Sequence, residues 1–154
     1  MSGGELAGGG AASPEEIAGA LYACISGPAG AARDWARFRK LFAPEARLMP
    51  LAAGEDGSTR PEVFDVEAYV GSRSRLLASV SFWEIETDRR VFVWGDAAHV
   101  LSFYESRRTP DGPPFMAGVN SIQLYRSEGR WRVVSMLWDN GPDARARIGE
   151  SEEI

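Results

Sequence analysis

Cysteine, histidine and lysine each occur once in this chain, as Cys24, His99 and Lys40. A lone cysteine excludes an internal disulfide framework and any cysteine-cluster metal site, and a lone histidine excludes a histidine-rich zinc site. The chain also lacks a run of eighteen or more apolar residues. Its first thirteen residues have neither the basic start nor the apolar core of a signal peptide, so a soluble cytoplasmic protein is expected. Strong charge of one sign is missing too. The net charge is −5 with acidic and basic residues interspersed, which argues against a nucleic-acid groove or an anionic-membrane patch. No glycine-rich phosphate loop precedes a lysine, and no serine carries the flanking glycines of a nucleophile elbow. These absences point to a chain that works without metal or cofactor.

What is present is 154 residues, 44% of them hydrophobic, enough for one domain with its own core. Residues 1–12 are glycine-rich and are expected to form a disordered tail. One domain is expected over 13–140, followed by a charged tail over 141–154. The run Ser13-Pro14-Glu15-Glu16 has the form of a capping box, and Ile17, Leu21, Cys24 and Ile25 recur behind it at helical spacing up to Gly27-Pro28. A second helix is expected from Asp34, with Trp35, Phe38 and Leu41 or Phe42 on its buried side and Pro44 ending it. Residues 46–51 read as a short strand and 52–61 as a loop. Val66, Tyr69, Val70, Leu76, Leu77 and Val80 give a third helical pattern starting after Asp65.

After Ser81 the character changes. Residues 82–94, 97–107, 115–126 and 131–138 are rich in Val, Phe, Trp and Tyr and are separated by turn residues, which predicts four consecutive antiparallel strands. The expected class is α+β, with three N-terminal helices packed against one face of a curved antiparallel sheet.

That order of elements, with the stretches 95–106, 118–124 and 130–138, resembles the nuclear transport factor 2-like superfamily, which includes ketosteroid isomerases, polyketide cyclases and scytalone dehydratases. The resemblance covers residues 14–140 and implies a cone-shaped fold around a largely apolar pocket. It looks most like a bacterial branch without an assigned reaction. Carried over residue by residue, the isomerase's helix-one tyrosine falls on Tyr22 and its second oxyanion donor on Gln123. Its aspartate base falls on Pro50, which has no acid–base function.

The resemblance also sends the face of the second long strand that carries His99, Leu101 and Phe103 into the pocket. His99 is then the candidate general base or acid, with Tyr22 and Gln123 polarising a ligand oxygen. Met49, Leu101, Phe103, Met136 and Trp138 are the expected ligand contacts, and Val134 is expected to alternate with the last two. A bland alternative stands beside each of these readings: a satisfied core histidine, a tyrosine packed by its ring, and a strand amide bonded to a neighbour. Glu84 and Glu86 share a strand face near Arg89 and Arg90 and read as exposed cross-strand charge pairing. Cys24 reads as an inert buried thiol.

Two functional classes follow. One is a pocket protein for a small apolar, ring-containing or carbonyl-bearing metabolite, and as an enzyme it would be a cofactor-free isomerase, cyclase or dehydratase. The other is a non-catalytic homodimeric interaction module of the same fold. A homodimer is expected in either case, because Phe92, Trp94, Tyr104, Ile122, Leu124, Trp131 and Val133 put large residues on both alternations of the sheet.

Overall fold

The computed structural model describes residues 9–139. The elements run α1 (Glu15–Ile25), α2 (Trp35–Lys40), β1 (Phe42–Ala53), β2 (Thr59–Pro61), α3 (Val66–Leu77), β3 (Trp83–Trp94), β4 (Ala97–Arg107), β5 (Pro114–Ser127) and β6 (Arg130–Asp139). The strands form one six-stranded sheet in the order β2-β1-β6-β5-β4-β3. From β3 to β6 each strand is antiparallel to the next, while β1 runs parallel to β6. The class is therefore α+β with a mixed, mostly antiparallel sheet.

The four long strands fall close to where alternation and turn residues put them. Gly95 supplies the positive φ (59°) that a tight β3–β4 hairpin needs, and Glu128 and Gly129 both take positive φ between β5 and β6, as a two-residue reversal requires. The N-terminal half departs further from expectation. α1 does not use the capping box: no side chain caps it, and the carbonyls of Ser13 and Pro14 accept from the amides of Glu16 and Ile17. α2 starts as expected, with Asp34 accepting from Arg37 N at 3.1 Å, but ends before Leu41. Phe42 through Pro44 instead open β1, where Pro44 is exposed and compatible with a strand. α3 is capped by Asp65, which accepts from Ala68 N at 2.8 Å.

Residues 1–8 and 140–154, which hold most of the two expected tails, lie outside the described residues. Residues 9–12 do not behave as a disordered tail. Gly10 N donates to Lys40 O, and Ala11 exchanges two backbone hydrogen bonds with Trp131, burying Ala11 to 6% exposure. Pairing with a sheet residue satisfies backbone groups and so overrides the weak ordering tendency of glycine-rich sequence.

The core lies between the helices and the inner face of the sheet. Ile17, Leu21 and Cys24 from α1 meet Leu48, Val100, Ile122 and Val133 there. Cys24 is buried, and desolvation pushes its thiol up, in line with the inert reading. The inner face is the alternation Ala98, Val100, Ser102, Tyr104 and Ser106 on β4, and Gly118, Asn120, Ile122 and Leu124 on β5. Register shifts in β3 between Glu86 and Asp88, and against β6 between Gln123 and Leu124, change which residues point inward along those strands. The second makes Val134 the extra residue beside Val133, so Val133, Met136 and Trp138 face in and Val134 leaves the series expected of it.

Candidate functional site

Helices and sheet do not close on one another completely. Between α1, α3 and the inner face lies a cavity of about 220 Å³. Leu21, Ile25, Phe38, Leu48, Met136 and Trp138 give it an apolar wall, and Leu76, 48% exposed, stands on its solvent side. Its polar lining comes from Tyr22, Tyr69, Arg73, Glu84, Tyr104 and Asn120. Its size is below the roughly 300–1,000 Å³ of drug-sized sites, which suits a ligand with a single ring or a short chain.

Glu84 is placed by a joint between α1 and β3. The Ser26 hydroxyl donates to Tyr22 O at 2.7 Å and accepts from Glu84 N at 3.0 Å, while Gly27 and Phe82 exchange two backbone hydrogen bonds. Arg33 holds the same corner by donating to the carbonyls of Ile25, Gly27, Pro28 and Ala31. With its backbone fixed in this way, Glu84 turns its carboxyl into the cavity, where no described residue hydrogen-bonds it. Desolvation pushes the carboxyl up to about 8, with the positive charge of Arg73 acting in the opposite direction. At neutral pH this is a carboxylic acid with a proton to give.

Directly across the sheet from Glu84 is Ser106, whose buried hydroxyl has no partner among the described residues. Arg73 comes from α3, its guanidinium 5.1 Å from the Tyr69 ring centre, and it forms no ion pair with a described carboxylate. Tyr104 lies 6.0 Å from Tyr22 ring to ring. Burial, reinforced by the negative charge of Glu84 once that group has ionised at alkaline pH, raises both tyrosines and keeps them as phenols.

The Tyr22 hydroxyl heads a hydrogen-bonded chain with a defined direction. Ser102 Oγ donates its single hydrogen to Glu86 Oε2 at 2.7 Å, so the 2.7 Å contact between Tyr22 and Ser102 has Tyr22 as donor. Asn120 Nδ2 donates to the Tyr22 oxygen at 2.9 Å. This fixes the Asn120 amide and leaves its buried Oδ1 without a partner among the described residues. Glu86 is held at the far end, with Arg89 Nε 3.7 Å from its other oxygen.

The expected site residues divide. Tyr22, Met136 and Trp138 line the cavity. His99, Leu101, Phe103, Gln123 and Met49 do not, and this corrects the expectation that they would. His99, Leu101 and Phe103 do share a face, but it is the outer one. There His99 Nε2 meets Ser121 Oγ at 2.9 Å and stacks on Phe92, and burial lowers its imidazole below the usual range. Phe103 packs with Val119 and Leu101 on that side. Gln123, opposite His99, accepts from Ser135 Oγ at 2.9 Å. Met49 pairs with Leu137, while its neighbour Leu48 takes the inward position opposite Met136. Both alternations of β4 are apolar, so hydrophobicity did not say which one meets the helices.

Sequence reasoning missed Glu84, Arg73, Tyr104 and Asn120. The reading of the paired glutamates as exposed cross-strand charge pairing does not hold: Glu86 has Arg89 near it, but three residues along the same strand, and its side chain is 20% exposed. Glu84 shares its face but lies farther toward the α1–β3 joint, away from both arginines. The signal available was an acidic residue on the same alternation as an apolar inner face.

No protein-family model and no curated protein matches this sequence. Solved structures do match in fold. A cystatin-like protein of unknown function from Nostoc punctiforme superposes with a TM-score of 0.64 at 13% identity, covering 86% of this chain and 91% of that one. An NTF2-like protein of unknown function from Pseudomonas putida gives 0.61 at 12% identity, covering 81% and 82%. Another from Silicibacter pomeroyi gives 0.54 at 16% identity, covering 82% and 92%. The chain has the nuclear transport factor 2-like fold, and at these identities the likeness carries the fold alone.

Proposed function

We propose that this chain binds a small, mostly apolar ring-containing or carbonyl-bearing molecule in the cone cavity and moves a proton on it without a cofactor, as an isomerase, cyclase or dehydratase does. Glu84 is the acid–base group in this reading, in the place first given to His99. One observation carries it: an ionisable carboxyl turned into a largely apolar cavity without a hydrogen-bond partner among the described residues. Such a group has its proton affinity shifted toward neutrality, where an acid–base catalyst works best. Tyr22 has a supporting role, since its only hydroxyl hydrogen is given to Ser102. Thermal-shift screening with small cyclic ketones, enones and hydroxy-ketones tests the binding. Glu84→Gln tests the chemistry: turnover of any hit should vanish while its melting shift remains. Turnover that survives in Glu84→Gln removes the acid–base role.

We also infer a homodimer built on the outer face of the sheet. Phe92 at 52%, Trp94 at 59% and Leu137 at 39% exposure form an apolar surface there beside His99 and Leu101. The face is narrower than expected, because Tyr104, Ile122, Leu124, Trp131 and Val133 are all buried in the core side of the fold. No helix of the described residues is long and apolar enough to cross a membrane. A cytoplasmic location fits the single buried thiol.

A further inference from the structure

The charges of the cavity lining do not cancel. Arg73 contributes a guanidinium that no described carboxylate pairs, and Arg is charged at any ordinary pH. The acidic residue facing the same space is Glu84, which desolvation keeps protonated up to about pH 8. Every other polar side chain of the lining, from Tyr22, Tyr69, Tyr104 and Asn120, is neutral at pH 7, and the Tyr69 hydroxyl that Arg73 reaches brings no charge to offset the guanidinium. An apolar cavity of about 220 Å³ that carries one net positive charge is most complementary to a single anionic group on a small hydrocarbon frame.

We propose that the cavity takes a small monocarboxylic acid as its carboxylate. The Arg73 guanidinium is its counter-ion, the Glu84 carboxyl its second hydrogen-bonding partner, and the hydrocarbon part fills the apolar wall. This rests on the small-molecule reading above and narrows its ligand class to compounds with an acid group. The guanidinium fork suits a carboxylate in geometry as well as charge. A neutral Glu84 completes the match, because its hydroxyl hydrogen has no acceptor among the described residues and a carboxylate oxygen supplies one.

The groups facing Glu84 fix how this depends on pH. They are Tyr22 from α1, Tyr69 and Arg73 from α3, Tyr104 from β4, and Glu86 on its own strand, itself engaged by Ser102 and near Arg89. Burial moves the proton affinity of Glu84 to near neutrality. Below about pH 5 a free carboxylic acid loses its charge. Above about 8 Glu84 gains one and repels the ligand. Affinity is therefore expected to peak between these limits and to fall on both sides.

The test uses phenylacetate and cyclohexanecarboxylate against their uncharged primary amides and methyl ketones, by calorimetry on the full chain at pH 6.5 and 9.5. At pH 6.5 the carboxylates should bind about tenfold or more tighter than the uncharged compounds, with the advantage lost at pH 9.5. Arg73→Gln should abolish the preference and Arg73→Lys should restore part of it, with circular dichroism confirming that each variant folds. Glu84→Gln, which carries no charge at either pH, should remove the loss of carboxylate affinity between pH 6.5 and 9.5. Uncharged compounds that bind as tightly as the acids overturn the carboxylate assignment and leave the pocket reading standing. An Arg73→Gln variant that weakens acids and amides equally also overturns it, since that marks a structural arginine. Failure of every compound to bind at millimolar concentration overturns both readings.

Discussion

The Tyr22 hydroxyl donates to Ser102 Oγ across 2.7 Å, and the direction of that bond is set two atoms away by Glu86. Ser102 has one hydrogen and gives it to the carboxylate, so Tyr22 must be the donor and Asn120 Nδ2 must supply the hydrogen bond to its oxygen. The chain ties α1 to β3, β4 and β5, and each member is left short of a partner if another is removed. Ser102→Ala is expected to cost about 1–3 kcal/mol, because it strands the buried Tyr22 hydrogen as well as removing a bond. Denaturant melts of Ser102→Ala, Tyr22→Phe and the double variant measure this. The double variant should be less destabilised than the sum of the two, since the members share one network.

Glu84 imposes a pH dependence on stability. Its carboxyl rises to about 8 in the folded protein from an ordinary value of 4.5 when unfolded. The folded state then holds a proton that the unfolded state has released, so stability is greatest below pH 4.5 as far as this group is concerned and declines as pH rises to about 8. Glu84→Gln should remove that slope. Melting temperatures of the two proteins from pH 5 to 9 should diverge, with the glutamine variant relatively more stable toward the alkaline end.

Gly118 faces Tyr104 across β4 and β5, and the ring lies over the space a side chain would fill. A Cβ there would stand 2.6 Å from Tyr104 Cζ and 2.9 Å from Asp139 O, and it would fall on the Tyr104 hydroxyl. Gly118→Ala is expected to destabilise the fold by about 1–3 kcal/mol and to push the Tyr104 ring from its place in the cavity lining. Urea unfolding and the ligand affinities of the variant check both effects.

His99 lies on the face opposite the cavity, so His99→Phe should leave small-molecule affinity unchanged. The loss of its bond to half-buried Ser121 is expected to cost about 1 kcal/mol, since water can serve the serine in part. A large fall in ligand affinity in a folded variant would contradict the cavity as described.

The proposed dimer turns on Trp94 and Phe92. Trp94→Asp with Phe92→Glu should give a folded chain with the 16.8 kDa mass of a monomer by light scattering at micromolar concentration. A wild-type chain that is already monomeric there removes the dimer.

Sequence alone settled the class, the four long strands and the three helices of this protein, because strand alternation, helical spacing and turn chemistry are local. Asp34 and Asp65 each cap a helix by bonding an amide three residues on, and Gly95 and Gly129 turn the chain through their own φ. Period two also grouped His99 correctly with Leu101 and Phe103. It carries no sign, however, and both faces of β4 are apolar. The choice of inner face was made by α1, whose Ala18 and Tyr22 pack against Tyr104 and whose Tyr22 reaches Ser102. The register shift after Glu86, the parallel pairing of β1 with β6 and the Ser26 joint that aims Glu84 inward are likewise contacts between residues far apart in the chain. Tertiary packing thus moved the candidate acid–base group from His99 to Glu84, because burial and charge environment belong to the assembled fold.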